Sequence, residues 1–161
     1  MAGPKLSKEE FSKVNTFDKE YKVYKKLNDP RFGDILLIKN DHSEELLLCK
    51  EKVSNTESEA GKNIVAAKRR MSFNHPHLQK FYDYSANTKS DFCSTHYLTK
   101  GYYEWFPNDV RRALEKRRGN NRFTHEELTH MAYQVLDALA FLHSNGATYD
   151  DVRPDLCQSL N

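Results

Sequence analysis

The sequence lacks the features of several protein classes. It has three cysteines among 161 residues, and their scattered placement excludes a disulfide framework and favours a reducing compartment. No apolar run approaches the roughly 18 residues that a membrane span needs, and the N-terminus has no apolar signal core. These absences predict a soluble protein of the cytoplasm that does not bind membranes.

The sequence also lacks an excess of either positive or negative charge. Lysine and arginine total 25 against 23 aspartate and glutamate residues, a net charge of +2. This balance gives no indication of nucleic-acid binding. Hydrophobic residues make up 38% of the chain, including 9 phenylalanines and 9 tyrosines. That supply is enough for a packed core in a chain of about one domain, so wholesale disorder is excluded.

Residues 1–19 are polar and rich in lysine. Ser7 and Glu10 have the spacing of a capping box, in which two side chains satisfy free backbone N–H groups at the start of a helix. Because chain termini are usually loosely held, we expect a mobile arm here. Docking of the arm on a partner is the alternative.

Residues 20–104 predict an antiparallel sheet of five strands with one helix. Alternation of apolar and polar residues indicates the strands. The helix is capped by Thr56, and its apolar face ends before His75, which precedes a proline. The strands are expected from Tyr21 onwards and at 35–38, 45–50, 78–84 and 95–106.

Residues 105–161 predict helices. A short basic helix spans about 109–118. Thr124 and Glu127 form a second capping box, which opens a long amphipathic helix that ends near Gly146. Its apolar stripe includes Leu128, Met131, Val135, Leu139 and Leu142.

Five segments occur in an order and spacing that one known family shares. Residues 47–50 match the strand motif V-A-I-K, and 75–78 match a link from a helix to the fourth strand. Residues 103–106 stand where a hinge begins, and 134–146 match the helix before a catalytic loop. Residues 149–156 stand where H-R-D-L-x-x-x-N is expected. The chain therefore resembles the protein kinases, which implies an α+β fold with a kinase-like N-lobe followed by the first helices of a truncated C-lobe.

The resemblance implies a nucleotide site that has lost most of its parts. A loop that cradles phosphates needs glycines and free N–H groups, but the family's three glycine positions fall on Asn28, Pro30 and Gly33. Lys50 matches the lysine that pairs with nucleotide phosphates, and Glu104 lies at the hinge. The candidate cofactor-binding residues are thus Gly33, Lys50 and Glu104.

The family's partner for Lys50 is missing. A helix glutamate holds this lysine in active kinases, and its position falls here on Ala66 or Ala67. Glu59 lies about two turns too early. Without that glutamate, we expect Lys50 to reach solvent or to pair with another acid.

Asp151 falls on the family's catalytic aspartate, which accepts the proton of the substrate hydroxyl. Tyr149 and Asp150 replace the histidine and arginine beside it, and Leu156 replaces the asparagine that binds Mg²⁺. The D-F-G aspartate has no counterpart, because the chain ends at Asn161. We therefore predict a catalytically inactive, pseudokinase-like chain in which Asp151 is a degenerate catalytic candidate.

The histidines and cysteines predict no further chemistry. His75 and His77 flank a proline, while His125 and His130 are five residues apart and do not share a helix face, so we expect no metal site. Cys49 lies in an apolar strand and is expected to be a buried thiol.

The long helix predicts a protein partner. In the family, later helices cover it, and leaving its apolar side chains in water forfeits about 1.5–3 kcal/mol for each one. We therefore expect other proteins of a larger assembly to cover it. The alternatives are that the helix packs against the first lobe or the arm, or that the chain is a fragment of a longer product. A basic cluster nearby is a candidate contact for an acidic surface, with a solvated helix face as the alternative. It comprises Arg111, Arg112, Lys116, Arg117, Arg118 and Arg122.

Three functions stay open. The first is a scaffolding pseudokinase subunit without a cofactor, in the cytoplasm and its cytoskeletal or ciliary assemblies. The second is an active or split serine/threonine kinase that uses ATP and Mg²⁺ through Lys50 and Asp151. The third is a nucleotide-sensing regulatory module without catalysis.

Overall fold

The computed structural model describes residues 6–29, 33–117, 122–154 and 157–159. The predicted α+β architecture is confirmed: the chain has a five-stranded antiparallel sheet and four α-helices, consistent with a kinase-like N-lobe and a few C-lobe helices. Two compact units are present. The first comprises Met1–Phe73 and Lys80–Trp105, and the second comprises Asn74–Gln79 and Phe106–Asn161.

The first unit is built on an antiparallel sheet with the strand order β1-β2-β3-β5-β4. Its strands are β1 Tyr21–Asp29, β2 Gly33–Asn40, β3 Leu46–Ser54, β4 Phe81–Ser90 and β5 Thr95–Glu104. β3 and β4 extend beyond the apolar runs that predicted them. Their polar ends still pair with β5, because the ladder hydrogen bonds come from the backbone.

Helix α2, Glu57–Met71, connects β3 to β4. Thr56 caps it as predicted, since its Oγ1 accepts the N–H of Glu59 at 3.2 Å. Ala60 and Ile64 are fully buried in a core cluster with Phe81 of β4. The first turn is acidic and the last turn is basic, which complements the helix dipole.

The N-terminal segment packs on the sheet, which differs from the mobile arm expected from the sequence. A 3-10 helix, Lys8–Ser12, carries the predicted capping box of Ser7 and Glu10. Phe11 is buried in the core cluster that α2 shares with β4. Chain ends are usually loosely held. Here the free energy gained by burying the Phe11 side chain holds the segment on the sheet.

Helix α1, Phe17–Glu20, contributes to a second core cluster. Phe17 packs there against the buried residues Cys49 and Tyr102, with its ring centroid 5.0 Å from that of Tyr102. The expectation of a buried Cys49 is confirmed, and burial raises the pKa of its thiol to about 12. None of the three cysteines forms a disulfide bond.

The second unit contains α3, Val110–Lys116, and α4, His125–Ser144. Both capping-box contacts between Thr124 and Glu127 are present at the start of α4. A short antiparallel pair joins β6, Asn108–Asp109, to β7, Gln158–Ser159. In the part of the chain that the structure describes, no helix is long and apolar enough to cross a bilayer.

Candidate functional site

Lys50 lies in the middle of the sheet, where β3 is flanked by β2 and β5. It pairs with Ile35 on one side and Gly101 on the other. Its Nζ lies 4.9 Å from the centroid of the Tyr103 ring, a distance at which an ammonium group interacts favourably with an aromatic face. The half-buried lysine is thus positioned by the sheet and by an aromatic ring.

Helix α2 offers no carboxylate in its middle. Its two acidic residues, Glu57 and Glu59, are both in the exposed first turn. At the positions where the resemblance places a glutamate, Ala66 is exposed and Ala67 packs at the margin of the core. Helix α2 therefore presents alanine at the positions where the resemblance places the glutamate.

Tyr103 is affected by two cationic side chains. The ammonium group of Lys50 lies by its ring. Burial raises the pKa of the Tyr103 hydroxyl, and the charge of Arg70 opposes that rise. Burial also lowers the pKa of Arg70 itself.

Gly33 and Glu104 lie in opposite directions from Lys50 along the strands, on the neighbouring strands β2 and β5. Gly33 opens β2, two residues before the partner of Lys50. Glu104 pairs with Leu47, so it lies three residues, or about 10 Å, along the sheet from Lys50. Its Oε2 accepts the backbone N–H of Lys80 at 3.2 Å. The structure therefore gives Glu104 a role in joining β4 to β5 and does not place it beside Lys50.

Asp151 lies in the second unit on an exposed segment after α4. Its Oδ1 is 2.7 Å from Nε of Arg153, an ion pair within the same loop. Tyr149, at the family's histidine position, is also exposed. Leu156 lies outside the described residues. The carboxylate of Asp151, at the position of the family's catalytic aspartate, is thus paired with a neighbouring arginine.

The apolar stripe of α4 is partly exposed. Leu128 is 50% exposed and Leu142 is buried, while Met131, Val135 and Leu139 are half-buried. Leu136, which belongs to the same predicted face, is 65% exposed, and Tyr133, which lies outside it, is 62% exposed. The exposed part of the predicted face therefore includes Leu128 and Leu136.

The basic cluster of α3 is largely neutralised by nearby acids. Arg111 pairs with Glu115 at 3.3 Å, and Arg112 pairs with the N-cap Asp109 at 3.5 Å. Arg117 pairs with Glu127 at 2.8 Å. Arg118 lies outside the described residues. These ion pairs favour the solvated helix face, which the sequence left as the alternative.

A polar network around Asp18, in which Tyr102 and Lys100 take part, was missed by the sequence analysis. The hydroxyl of Tyr102 donates to Oδ1 of Asp18 at 2.7 Å, and Nζ of Lys100 lies 3.2 Å from the same oxygen. Burial opposes ionisation of Asp18, but hydrogen bonds from Tyr102, Ser85 and Lys100 keep its pKa below the ordinary value. Since these partners are more than 60 residues apart in sequence, no local pattern could have linked them.

A second cluster that the sequence analysis missed joins His75 and His77 to Asp137, all within the second unit. The spacing of His75 and His77 around one proline is a local signal that two imidazoles can face one neighbour. Their carboxylate partner lies 60 residues later on α4 and carries no signal of its own.

Comparisons with known proteins agree with the fold. No profile of a protein family matches the sequence. The chain is similar to the serine/threonine-protein kinase ICK of Rattus norvegicus and to that of Mus musculus, with 26% identity over 136 residues in each case. The match covers 84% of this chain and 20% of each relative, so the chain spans about a fifth of their length. Together with the sheet, this similarity supports a kinase-like fold.

Proposed function

We propose that this chain is a kinase-like protein that does not transfer phosphate and that acts through contacts with other proteins. The observation that carries the proposal is the environment of Lys50. Its ammonium group lies over the ring of Tyr103, and the helix that would supply a carboxylate presents alanine at Ala66 and Ala67. In active kinases a glutamate at this helix position holds the lysine in the geometry on which phosphoryl transfer depends, and alanine cannot take that role.

The loop around Asp151 supports the same proposal. A catalytic aspartate must accept a proton from the substrate hydroxyl, whereas this carboxylate is paired with Arg153. At the position of the family's metal-binding asparagine stands Leu156, which has no oxygen for Mg²⁺. Losing one such group typically costs orders of magnitude in rate, and the losses here affect phosphate, proton and metal handling together.

Exposed apolar side chains on α4 support a role in protein contacts. Leu128, Tyr133 and Leu136 are each at least half exposed, and apolar surface of this kind commonly marks an association site. We expect a hydrophobic dye to bind the chain and its fluorescence to fall in the double variant L128S/L136S. The matched control is H130S, at an exposed position of the same helix that does not share the face of Leu128 and Leu136. Absence of dye binding by the parent chain would contradict this part of the proposal.

The catalytic part is tested by thermal denaturation with millimolar Mg-ATP, because a ligand that binds the folded state raises the melting temperature by mass action. We expect no rise for the parent chain, for K50M or for the control K52M, which changes an exposed lysine on the same strand. A rise that disappears in K50M and persists in K52M would overturn the proposal. So would transfer of radiolabelled phosphate that is abolished in D151N.

One observation favours nucleotide sensing without catalysis as a second candidate. Lys50, which matches the lysine that pairs with nucleotide phosphates in the kinases, keeps its place on the central strand β3. In that case Mg-ATP would raise the melting temperature and K50M would remove the rise. Phosphate transfer would stay at background in every variant.

A further inference from the structure

Two histidines and an aspartate of the second unit converge on one point. Nε2 of His75 and Nδ1 of His77 lie 3.2 Å and 3.0 Å from the same oxygen, Oδ2 of Asp137. The histidines belong to the segment between α2 and β4, and the aspartate belongs to the middle of α4. We propose that His75, His77 and Asp137 form a binding site for a zinc ion.

The distances from Asp137 to the two imidazole nitrogens fit this ion, and all three ligand atoms lie within 4.8 Å of one another. Zinc takes tetrahedral ligands at about 2.0–2.2 Å, so two ligand atoms of one site lie about 3.3 Å apart. Both nitrogen–oxygen distances at Asp137 are close to that value. The two imidazole planes are inclined at 70° with centroids 5.5 Å apart, so each ring can direct a nitrogen to a common point without stacking on the other.

The rings are held in place by aromatic neighbours on α4. His75 stacks on Phe141, with a centroid distance of 4.8 Å and an interplanar angle of 29°. His77 meets the edge of Tyr133 at 6.4 Å. These two aromatic residues lie four positions after and before Asp137, which places all three on one face of the helix. The ligands are therefore oriented before an ion arrives, which reduces the entropy lost on binding.

The donor set selects the metal. Two imidazoles and one carboxylate suit zinc, whereas calcium and magnesium prefer oxygen ligands throughout. The side chains of His75, His77 and Asp137 are 12%, 26% and 37% exposed, so the point at which they meet is accessible from solvent. Three protein ligands leave a fourth tetrahedral position for water.

Zinc binding would move the proton of each imidazole ring from one ring nitrogen to the other. The backbone N–H of His77 donates to Nδ1 of His75 at 3.2 Å, which puts the His75 proton on Nε2, facing Asp137. A zinc ion at Nε2 takes the place of that proton, which moves to Nδ1, and the contact with the His77 N–H opens. The proton on Nδ1 of His77 moves to Nε2 in the same way. The site therefore has two alternative states, one hydrogen-bonded and one metal-bound.

The test is equilibrium dialysis of the whole chain against zinc at micromolar free concentration. It uses the C93S/C157S background, because one of these thiols is exposed and the other is half-buried, and both could bind zinc themselves. We expect one zinc ion per chain, with affinity reduced by at least about tenfold in H77A and in D137A. The control H143A removes an exposed histidine near the end of the same helix and should bind as the parent does.

Spectra distinguish this site from other zinc binding. Cobalt substituted for zinc should give the intense visible bands of a tetrahedral site in the parent chain and not in D137A. The ¹⁵N resonances of His75 should show the proton moving from Nε2 to Nδ1 when zinc is added. Failure to retain zinc, retention undiminished in D137A, or loss in H143A would each overturn the proposal. Circular dichroism checks that each variant is folded, and D137N replaces D137A if the latter is not.

Discussion

Gly101 is the residue at which the sheet has no room for a side chain. A β-carbon built there would lie 2.9 Å from Cε2 of Tyr103 and 3.0 Å from Cε2 of Phe81. The two rings contact each other with centroids 4.8 Å apart, so neither can move without disturbing its partner. Because Gly101 also pairs with Lys50, the glycine lets the Tyr103 ring settle beside the lysine.

The substitution G101A should therefore destabilise the chain by about 1–3 kcal/mol, the usual cost of forcing extra atoms into a packed core. Its matched control is G61A in α2, where the new β-carbon meets Cδ1 of Leu6 at an ordinary 3.4 Å. Replacing a helical glycine with alanine is expected to stabilise by about 0.5–1 kcal/mol. Urea denaturation measures both, and a G101A variant as stable as the parent would contradict the packing argument.

Asp18 is a residue whose charge contributes to stability. Its pKa in the folded chain lies below the ordinary 3.8 because hydrogen bonds from Tyr102 and its neighbours outweigh the effect of burial. A carboxyl with a lowered folded pKa stabilises fully above its unfolded pKa. That contribution is lost as the pH falls through the folded value.

We expect the difference in free energy of unfolding between the parent and D18N to be constant above about pH 5 and to shrink towards pH 2. The variant Y102F, which removes the hydroxyl that donates to Asp18, should cost about 1–2 kcal/mol at neutral pH. Denaturation by urea at a series of pH values measures both effects. A difference between parent and D18N that grows as the pH falls would show that the carboxylate is not stabilised.

The N-terminal 3-10 helix is the element whose packing the sequence did not predict. The backbone carbonyl of Lys13 accepts the N–H of Ala86 at 2.9 Å, and that of Phe11 accepts the hydroxyl of Thr88 at 3.3 Å. Lys13 also forms an ion pair with Asp83. All three partners lie on β4, an edge strand of the sheet. The segment thus covers backbone groups through which an exposed edge could pair with another chain.

Phe11 should contribute most of the stability of this element, because it is buried and its ring meets that of Tyr97 edge to face at 5.5 Å. We expect F11A to destabilise the chain by about 3–5 kcal/mol. The control V14A alters a side chain in the same segment that is 69% exposed, and it should change stability by less than about 0.5 kcal/mol. Equal effects of the two substitutions in a denaturant titration would show that the segment is not docked.

Across the whole molecule, the sequence predicted what local patterns encode. Alternating residues located the strands, and Thr56 and Thr124 marked the starts of α2 and α4 through contacts that span three residues. The placement of Lys50 on β3 followed from the same alternation and from the resemblance. These features depend on neighbours in the sequence, so a single chain is enough to infer them.

The parts that escaped prediction join distant segments. Asp18 meets Tyr102 across 84 residues, and His77 meets Asp137 across 60. No local pattern links the two partners of either contact, because each contact depends on how the chain turns between its ends. The candidate site shows the same contrast. The sequence predicted that Lys50 lies on a strand, but its aromatic neighbour Tyr103 was recognised only from the structure.

Because Cys49 is buried in the cluster against which α1 packs, its reactivity measures local opening of the structure at α1. Cys49 is 2% exposed, and Phe17 and Tyr21 pack against the cluster to which it belongs, so we expect an alkylating reagent to reach it only when this packing opens. Cys93, on the exposed turn between β4 and β5, reacts without any such delay. The ratio of the two alkylation rates therefore reports how often α1 detaches from an otherwise native chain.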